Sequence, residues 1–352
     1  MLNNPWKTRL IRFAHLHQGQ TVPMATLTGS SRTIMGKTIH KRTFMSPSTN
    51  WLKRIKGEIR YDEPIANHTS LRVGGPADIF IIPKDVSDLQ LIFKHHGDMP
   101  LFILGEGTNL IMNDKGFRGI VIATKNRFKS IEPPVFFKNS KGEEGAVVTA
   151  GAATKMSYLV KHLAKYSLTG MENLVGIPGS LGGALFMNAG ADGTEICDVI
   201  RSVTRVNAEG DLETLKKSEL EFEYRKTTFP TKGGIIVSAE LDLKKGEHME
   251  IQNTIDSHLS RRKNKQPLSL PNSGSVFKNP EGDTAGRLIE KAGLKGFSIG
   301  DAGVSIKHAN FIVNKGEATA SQVIEIIEHV RDTILEKTGI ELETEVIISG
   351  ER

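Results

Sequence analysis

The stretch Gly176-Ile177-Pro178-Gly179-Ser180-Leu181-Gly182-Gly183-Ala184, closing on Asn188-Ala189-Gly190-Ala191, constrains this chain more than any other feature. Glycine loses more conformational freedom on folding than any other residue, so a cluster this dense is costly in an ordered element. Close approach of backbone to a ligand offsets that cost and is preferred over a purely structural loop. The residues after Gly182 can open a short helix whose first amides face a pyrophosphate. A second glycine site, Gly105-Glu106-Gly107-Thr108-Asn109, directly follows the apolar run Leu101-Phe102-Ile103-Leu104. It lacks the third glycine of a dinucleotide fingerprint and the Lys-Ser/Thr of a P-loop. By itself it reads equally as a phosphate cradle or a tight turn. A third site, Arg72-Val73-Gly74-Gly75-Pro76-Ala77, says little alone.

The pattern between these sites is α/β. Ile79–Ile82, Leu101–Leu104 and Gly119–Ile122 read as strands, with a helix over Asp85–His96 stopped at Gly97. Val147–Ala150 reads as a strand. Met156, Leu159, Val160, Leu163 and Ala164 fall at helical spacing. Val199–Val206 and Asp211–Leu215 read as a hairpin turning at Glu209-Gly210, and Ile235–Leu243 as a further strand. Thr284 can cap a helix carrying Leu288, Ile289 and Ala292, Phe311–Val313 reads as a strand, and Thr319 with Gln322 forms a capping box for a long helix. Residues 340–349 alternate as a final strand.

Charge is divided unevenly along the chain. The formal net charge is +6, but residues 1–57 hold ten Lys/Arg and no acid, leaving 36 Lys/Arg against 40 Asp/Glu in 58–352. A nucleic-acid enzyme carries its basic surface on the folded body, so that class is set aside. Residues 1–57 are expected to lie outside the fold. Their acid-free, Arg-, Ser- and Thr-rich composition suits a transit peptide, which would make a plastid the destination. A later start is the other reading, since Met24, Met35 and Met45 lie within the segment, and a tail of no consequence is a third. No run is long and apolar enough for a membrane span. The single cysteine, Cys197, excludes an intramolecular disulfide and any Cys-x-x-Cys metal site, and no metal signature is present.

Polar residues further along are ambiguous one by one. Arg225 in Tyr224-Arg225 is ordinarily a solvated charge or a structural ion pair. Ser275 in Asn272-Ser273-Gly274-Ser275 is ordinarily a turn residue. Glu345 in Leu342-Glu343-Thr344-Glu345-Val346 sits on the same strand face as Glu343, so one of them can be simply solvated.

Together these segments resemble the MurB family, UDP-N-acetylenolpyruvoylglucosamine reductase. The resemblance runs from Asn67-His68-Thr69-Ser70-Leu71-Arg72-Val73-Gly74-Gly75-Pro76-Ala77-Asp78 to Ser349. Gly274-Ser275-Val276-Phe277-Lys278-Asn279-Pro280 is similar to its signature active-site segment. The fold this implies is α+β: a two-subdomain FAD-binding region of the vanillyl-alcohol-oxidase-like (PCMH) type plus a C-terminal α+β substrate-binding domain. The expected boundaries are 58–126 and 127–246 for the FAD subdomains, 247–338 for the substrate domain, and 339–352 for a strand returning to the site. The short interval from Arg225 to Lys265 leaves no room for a substrate-capping insertion, so the chain resembles type II.

The resemblance implies FAD and NADPH as cofactors and a UDP-sugar enolpyruvyl ether as substrate, in a cytoplasmic, monomeric enzyme of peptidoglycan synthesis that serves cell shape and division. It implies no nucleic-acid or membrane partner. Ser275 matches the proton donor, and Arg225 and Glu345 match the other two catalytic positions. Gly105, Glu106, Gly107, Thr108, Asn109, Gly151, Ile177, Pro178, Gly179, Ser180, Gly182, Gly183, Asn188 and Gly190 are expected at the flavin. Tyr224, Lys265, Asn279 and His308 are expected at substrate or nicotinamide, with Lys265 a candidate to stabilise the Ser275 alkoxide. In the implied reaction a hydride adds to the methylene carbon, charge spreads into the carboxylate beside Arg225, and Ser275 protonates the neighbouring carbon. Two rivals stand beside it: an FAD-dependent oxidase of a small alcohol or sugar, and a non-catalytic nucleotide-sugar binding protein.

Overall fold

The computed structural model describes residues 47–351 apart from residue 126. The expected transit peptide or internal start falls largely in 1–46, outside the described residues.

The first subdomain carries β1 (Glu58–Pro64), β2 (Pro76–Ile82), β3 (Leu101–Leu104), β4 (Leu110–Met112) and β5 (Phe117–Ala123). All but β4 form one sheet in the order β1-β2-β5-β3. Its β2–β5 and β5–β3 pairs are parallel. Helix α1 (Val86–His95) covers the sheet with Leu89, Ile92 and Phe93, and the Asp85 carboxylate caps it by accepting from the Asp88 amide. The expectation that residues up to 57 lie outside the fold fails for 47–57. Trp51 and Leu52 are buried in this subdomain's core beside Ile79, Ile81 and Leu89. The buried Asp88 carboxylate accepts from the Lys56 amide at 3.0 Å and the Gly57 amide at 2.9 Å. The run around Trp51 is short and flanked by lysines and arginine, so its apolar pair gives little periodicity to read.

The second subdomain is an antiparallel sheet of β6 (Val135–Lys138), β7 (Glu144–Gly151), β8 (Ile200–Val206), β9 (Leu212–Lys216) and β10 (Ile235–Lys245), ordered β9-β8-β10-β7-β6. The β8–β9 hairpin turns at Glu209-Gly210 as its sequence predicts. Helix α2 (Met156–Ala164) buries Met156, Leu159, Val160 and Leu163 against it, and α3 (Leu181–Phe186) follows the glycine-rich loop. Helix α4 (His248–Lys265), expected with the substrate domain, belongs here instead: Ile251 and Ile255 are buried in the same core as Leu159 and Leu174.

The third unit holds α5 (Ala285–Lys291), β11 (Ala302–Val304), β12 (Ile312–Asn314) and α6 (Ala320–Thr338). Thr319 and Gln322 form the anticipated capping box, and Gly339 ends α6 in the left-handed conformation. Val323, Ile326, Ile327, Val330 and Ile334 face a core that also takes in Leu71, Val73 and Ile111 of the first subdomain. The final strand is shorter than its alternation suggests. Only β13 (Ile347–Ser349) pairs, parallel to β4, so Glu345 precedes the strand rather than lying in it. Residues 343–345 run instead along the Ser275 segment, where Thr344 bridges Phe277. Among the described residues no helix is long and apolar enough to cross a membrane.

Candidate active site

Three distant segments meet at Glu345. Its amide donates to the carbonyl of Val276, the neighbour of Ser275, at 2.8 Å. Its own carbonyl accepts from Asn109 Nδ2 of the first glycine loop at 3.1 Å. Its carboxylate Oε1 accepts from Arg225 Nε at 3.1 Å. Both side chains are largely enclosed, Arg225 15% and Glu345 23% exposed. Burial pushes the Glu345 carboxyl above the usual carboxylate range, and the cations of Arg225 and Lys278 only partly oppose that. The centre therefore pairs a fixed cation with an acid that holds its proton more firmly than usual.

Arg225 is set by an unusual turn. Phe222-Glu223 and Lys226-Thr227 pair as a hairpin, leaving Tyr224 and Arg225 as its two-residue loop. Arg225 takes φ +55, a left-handed conformation rare for a residue with a long side chain. The guanidinium also donates from Nη2 to the Gly190 carbonyl at 2.7 Å and lies 4.8 Å from the centre of the Tyr224 ring. Ser275 is half-buried, directly before the 276–278 stretch that Asn310 clamps. Asn310 Oδ1 accepts from the Phe277 amide at 2.9 Å, and its Nδ2 donates to the Phe277 carbonyl at 2.8 Å. The Ser275 hydroxyl stands at the head of this fixed segment.

The two glycine loops are adjacent, as a shared ligand would require. Thr108 Oγ1 lies 3.5 Å from the Pro178 carbonyl. A Cβ on Gly107, whose φ is +63, would stand 2.1 Å from the His68 carbonyl, so only glycine lets the loop pass there. A Cβ on Gly179, φ +111, would close the gap to Thr108 Oγ1 to 3.0 Å. Ser180 caps α3 by accepting from the Gly183 amide. In the first loop the buried Glu106 Oε1 has no hydrogen-bond partner among the described residues, an orphan acceptor that a hydroxyl-rich group such as the ribityl chain of FAD would satisfy. These residues fit FAD.

Two of the residues expected at the cofactor are engaged by protein. The Asn188 side chain is fully buried and engaged at both ends by protein: Nδ2 donates to Glu195 Oε2 at 2.7 Å and to the Glu223 carbonyl at 3.0 Å, and Oδ1 accepts from the Cys197 amide. Gly151 is a packing glycine. A Cβ there would meet the Phe128 carbonyl at 2.1 Å, and its amide is bonded to the Ser130 carbonyl. Asn279 is half structural, its Oδ1 accepting from the Ala285 amide at 3.1 Å at the start of α5. His308 packs edge-on against Phe311, with Nδ1 accepting from the Asn310 amide. Lys265 ends α4, exposed, and makes no hydrogen bond to Ser275 among the described residues.

Ser70 is a site residue that local reading passes over. Its amide donates to the Gly107 carbonyl at 2.9 Å, and its hydroxyl to the Asn272 carbonyl at 2.6 Å. It ties the first glycine loop to the Ser275 segment. A serine followed by leucine carries no local sign of so long a reach.

Comparison with known proteins agrees with this layout. Residues 266–349 match the family model described as UDP-N-acetylenolpyruvoylglucosamine reductase, C-terminal domain, and residues 77–216 match an FAD binding domain. The first match begins just beyond α4, in line with that helix belonging to the second subdomain. The UDP-N-acetylenolpyruvoylglucosamine reductase of Lachnoclostridium phytofermentans is 42% identical over 293 residues, covering 83% of this chain and 93% of that protein. The protein of the same name from Alkaliphilus oremlandii is 44% identical over 292 residues, covering 82% and 93%. The crystal structure of UDP-N-acetylenolpyruvylglucosamine reductase from Thermus caldophilus superposes with a TM-score of 0.68 at 33% identity, covering 84% of this chain and 99% of that one. The chain belongs to the UDP-N-acetylenolpyruvoylglucosamine reductase family.

Proposed function

We propose that this chain reduces UDP-N-acetylglucosamine enolpyruvate to UDP-N-acetylmuramate, using bound FAD and NADPH, in the cytoplasmic phase of peptidoglycan precursor synthesis. The observation that carries the reading is the convergence on Glu345 of Asn109 from the flavin loop, Arg225 from the hairpin and the Val276 carbonyl beside Ser275.

The loops 105–109 and 176–183 would hold FAD, which when bound and reduced would supply hydride chemistry at the methylene carbon of the enolpyruvyl ether. Arg225 stabilises the charge that then spreads from the adjacent carbon into the substrate carboxylate. A preorganised cation in an enclosed site is effective for this because it need not reorient as the charge forms. Burial raises the Glu345 carboxyl above its usual range, which eases the approach of a second carboxylate to Arg225. Ser275 gives its proton to the adjacent carbon, which completes the saturated lactyl ether, and recovers a proton from solvent. Lys265 and Tyr224, both exposed, are assigned to the anionic nucleotide end of the substrate.

An anaerobic two-step experiment tests this. NADPH should bleach the flavin band near ~450 nm, and the enolpyruvyl substrate should restore it. A colourless protein that FAD cannot reconstitute, or reduced flavin indifferent to the substrate, defeats the reading.

A further inference from the structure

Arg225 has a second carboxylate beside it that the proposed chemistry does not use. Glu195 Oε1 lies 3.8 Å from Arg225 Nη1, a different nitrogen of the guanidinium from the Nε that meets Glu345. Glu195 is itself held, since its Oε2 accepts from Asn188 Nδ2 at 2.7 Å and its amide donates to Asp198 Oδ2 at 2.8 Å.

The hairpin carrying Arg225 cannot hold itself. It has two residue pairs, too few for a stable hairpin in water, and a left-handed arginine in its turn. Its conformation must come from what it docks on, and the docking face is the continuous stretch 186–195. Thr227 Oγ1 donates to the Phe186 carbonyl at 2.9 Å. Asn188 Nδ2 donates to the Glu223 carbonyl at 3.0 Å. Arg225 itself reaches the Gly190 carbonyl at 2.7 Å and faces Glu195. Asn188 is 0% exposed and sits at φ +44, a conformation asparagine tolerates better than most residues. Its single amide nitrogen bridges Glu195 and the hairpin backbone, so the two anchors are one unit.

We propose that Glu195, braced by Asn188, is a positioning residue for Arg225: it holds the guanidinium at Nη1 and leaves the Glu345 side as the face offered to the substrate carboxylate. The role rests on the functional reading above. It has a selective consequence. NADPH-driven reduction of the flavin develops no negative charge at Arg225, whereas reoxidation by the enolpyruvyl substrate does.

The test uses the FAD-loaded full chain and measures both half-reactions anaerobically by stopped flow. In Glu195→Gln the amide oxygen can still accept from Asn188, but the attraction for Arg225 is lost. Flavin content and reduction by NADPH should match the unaltered protein, while reoxidation by the substrate should slow by ~10-fold or more, the scale expected when a reacting group is misplaced by a fraction of an ångström. Asn188→Ala should slow reoxidation similarly. The double variant should be little worse than either single, because both act through one contact. If Asn188→Ala does not fold, Glu195→Gln alone carries the test. Equal slowing of both half-reactions would make Glu195 a fold residue. Unchanged or faster reoxidation would show that Arg225 needs no such hold, and either result overturns the proposal. Failure of the unaltered protein to be reoxidised would instead overturn the functional reading, and this role with it.

Discussion

Arg225 Nε donates to Glu345 Oε1 at 3.1 Å across 120 residues of sequence, and this bond joins the second subdomain to the segment that runs beside Ser275. The same guanidinium donates to the Gly190 carbonyl at 2.7 Å. A planar fork serves both directions at once, which the single ammonium of lysine does not. Arg225→Lys should therefore leave NADPH-driven flavin reduction intact and slow substrate-driven reoxidation by ~100-fold or more, the scale of losing a preorganised charge-stabilising group. Stopped-flow measurement of the two half-reactions decides it. A lysine variant as fast as the parent would remove Arg225 from the chemistry.

Ser275 is fixed from behind rather than by its own hydroxyl, which makes no protein hydrogen bond among the described residues. Ser275→Ala should preserve the fold, the flavin and its reduction by NADPH. Reoxidation should stall by about 100-fold or more if the serine is the general acid. Equal loss in both half-reactions would make it structural.

Asn310 holds the segment that carries Ser275. Its side chain satisfies both backbone groups of the buried Phe277 at 2.9 and 2.8 Å. Asn310→Ala strands one buried donor and one buried acceptor, so it should cost about 2–4 kcal/mol in urea unfolding. Reoxidation should suffer more than flavin reduction. A loss below about 0.5 kcal/mol would mean that water replaces the amide without penalty.

Much of this architecture is legible in the chain. The capping box at Thr319 and Gln322, the apolar face of α2 and the Glu209-Gly210 turn all depend on residues within a few positions of one another. Arg225, Ser275 and Glu345 were legible only through the family resemblance, and the structure brings Arg225 to Glu345 and Glu345 to the neighbour of Ser275. What failed was decided by distant partners. Helix α4 has its apolar residues in register for the second subdomain's core, but no local mark says which core receives them. The Asn188 side chain, in the 176–190 stretch expected at the flavin, is held by Glu195 and Glu223, partners that its local sequence does not announce. Alternation over 340–349 gave a strand, yet backbone pairing with 276–278 takes residues 343–345 away from it.

The N-terminal boundary can be tested by truncation. Removing residues 1–44 should leave turnover and the melting temperature unchanged. Removing residues 1–57 deletes the buried Trp51 and Leu52 and strips the Asp88 carboxylate of two backbone donors. That truncation should cost about 3 kcal/mol or more, the order of losing one large core side chain. Equal melting temperatures for the two truncations would contradict the packing of Trp51.

His308 supplies a pH dependence with a definite sign. Burial lowers its pKa below the usual 6.5, and the cations of Lys295 and Lys265 act in the same direction against Glu290. The geometry agrees: Nδ1 accepts the Asn310 N–H at 3.3 Å, so a proton on Nδ1 would break that bond. A group whose native pKa is depressed binds protons more readily when unfolded. Its stabilising contribution is therefore full above 6.5, declines as the pH falls below that value, and is gone once the lowered native pKa is passed. His308→Gln has no such proton to take up. Urea unfolding of both proteins between about pH 8 and about pH 5 should show the parent losing stability relative to the variant as the solution becomes acidic. Parallel curves across that range would mean that His308 titrates alike in both states, and that its burial and its bond to Asn310 do not govern its proton.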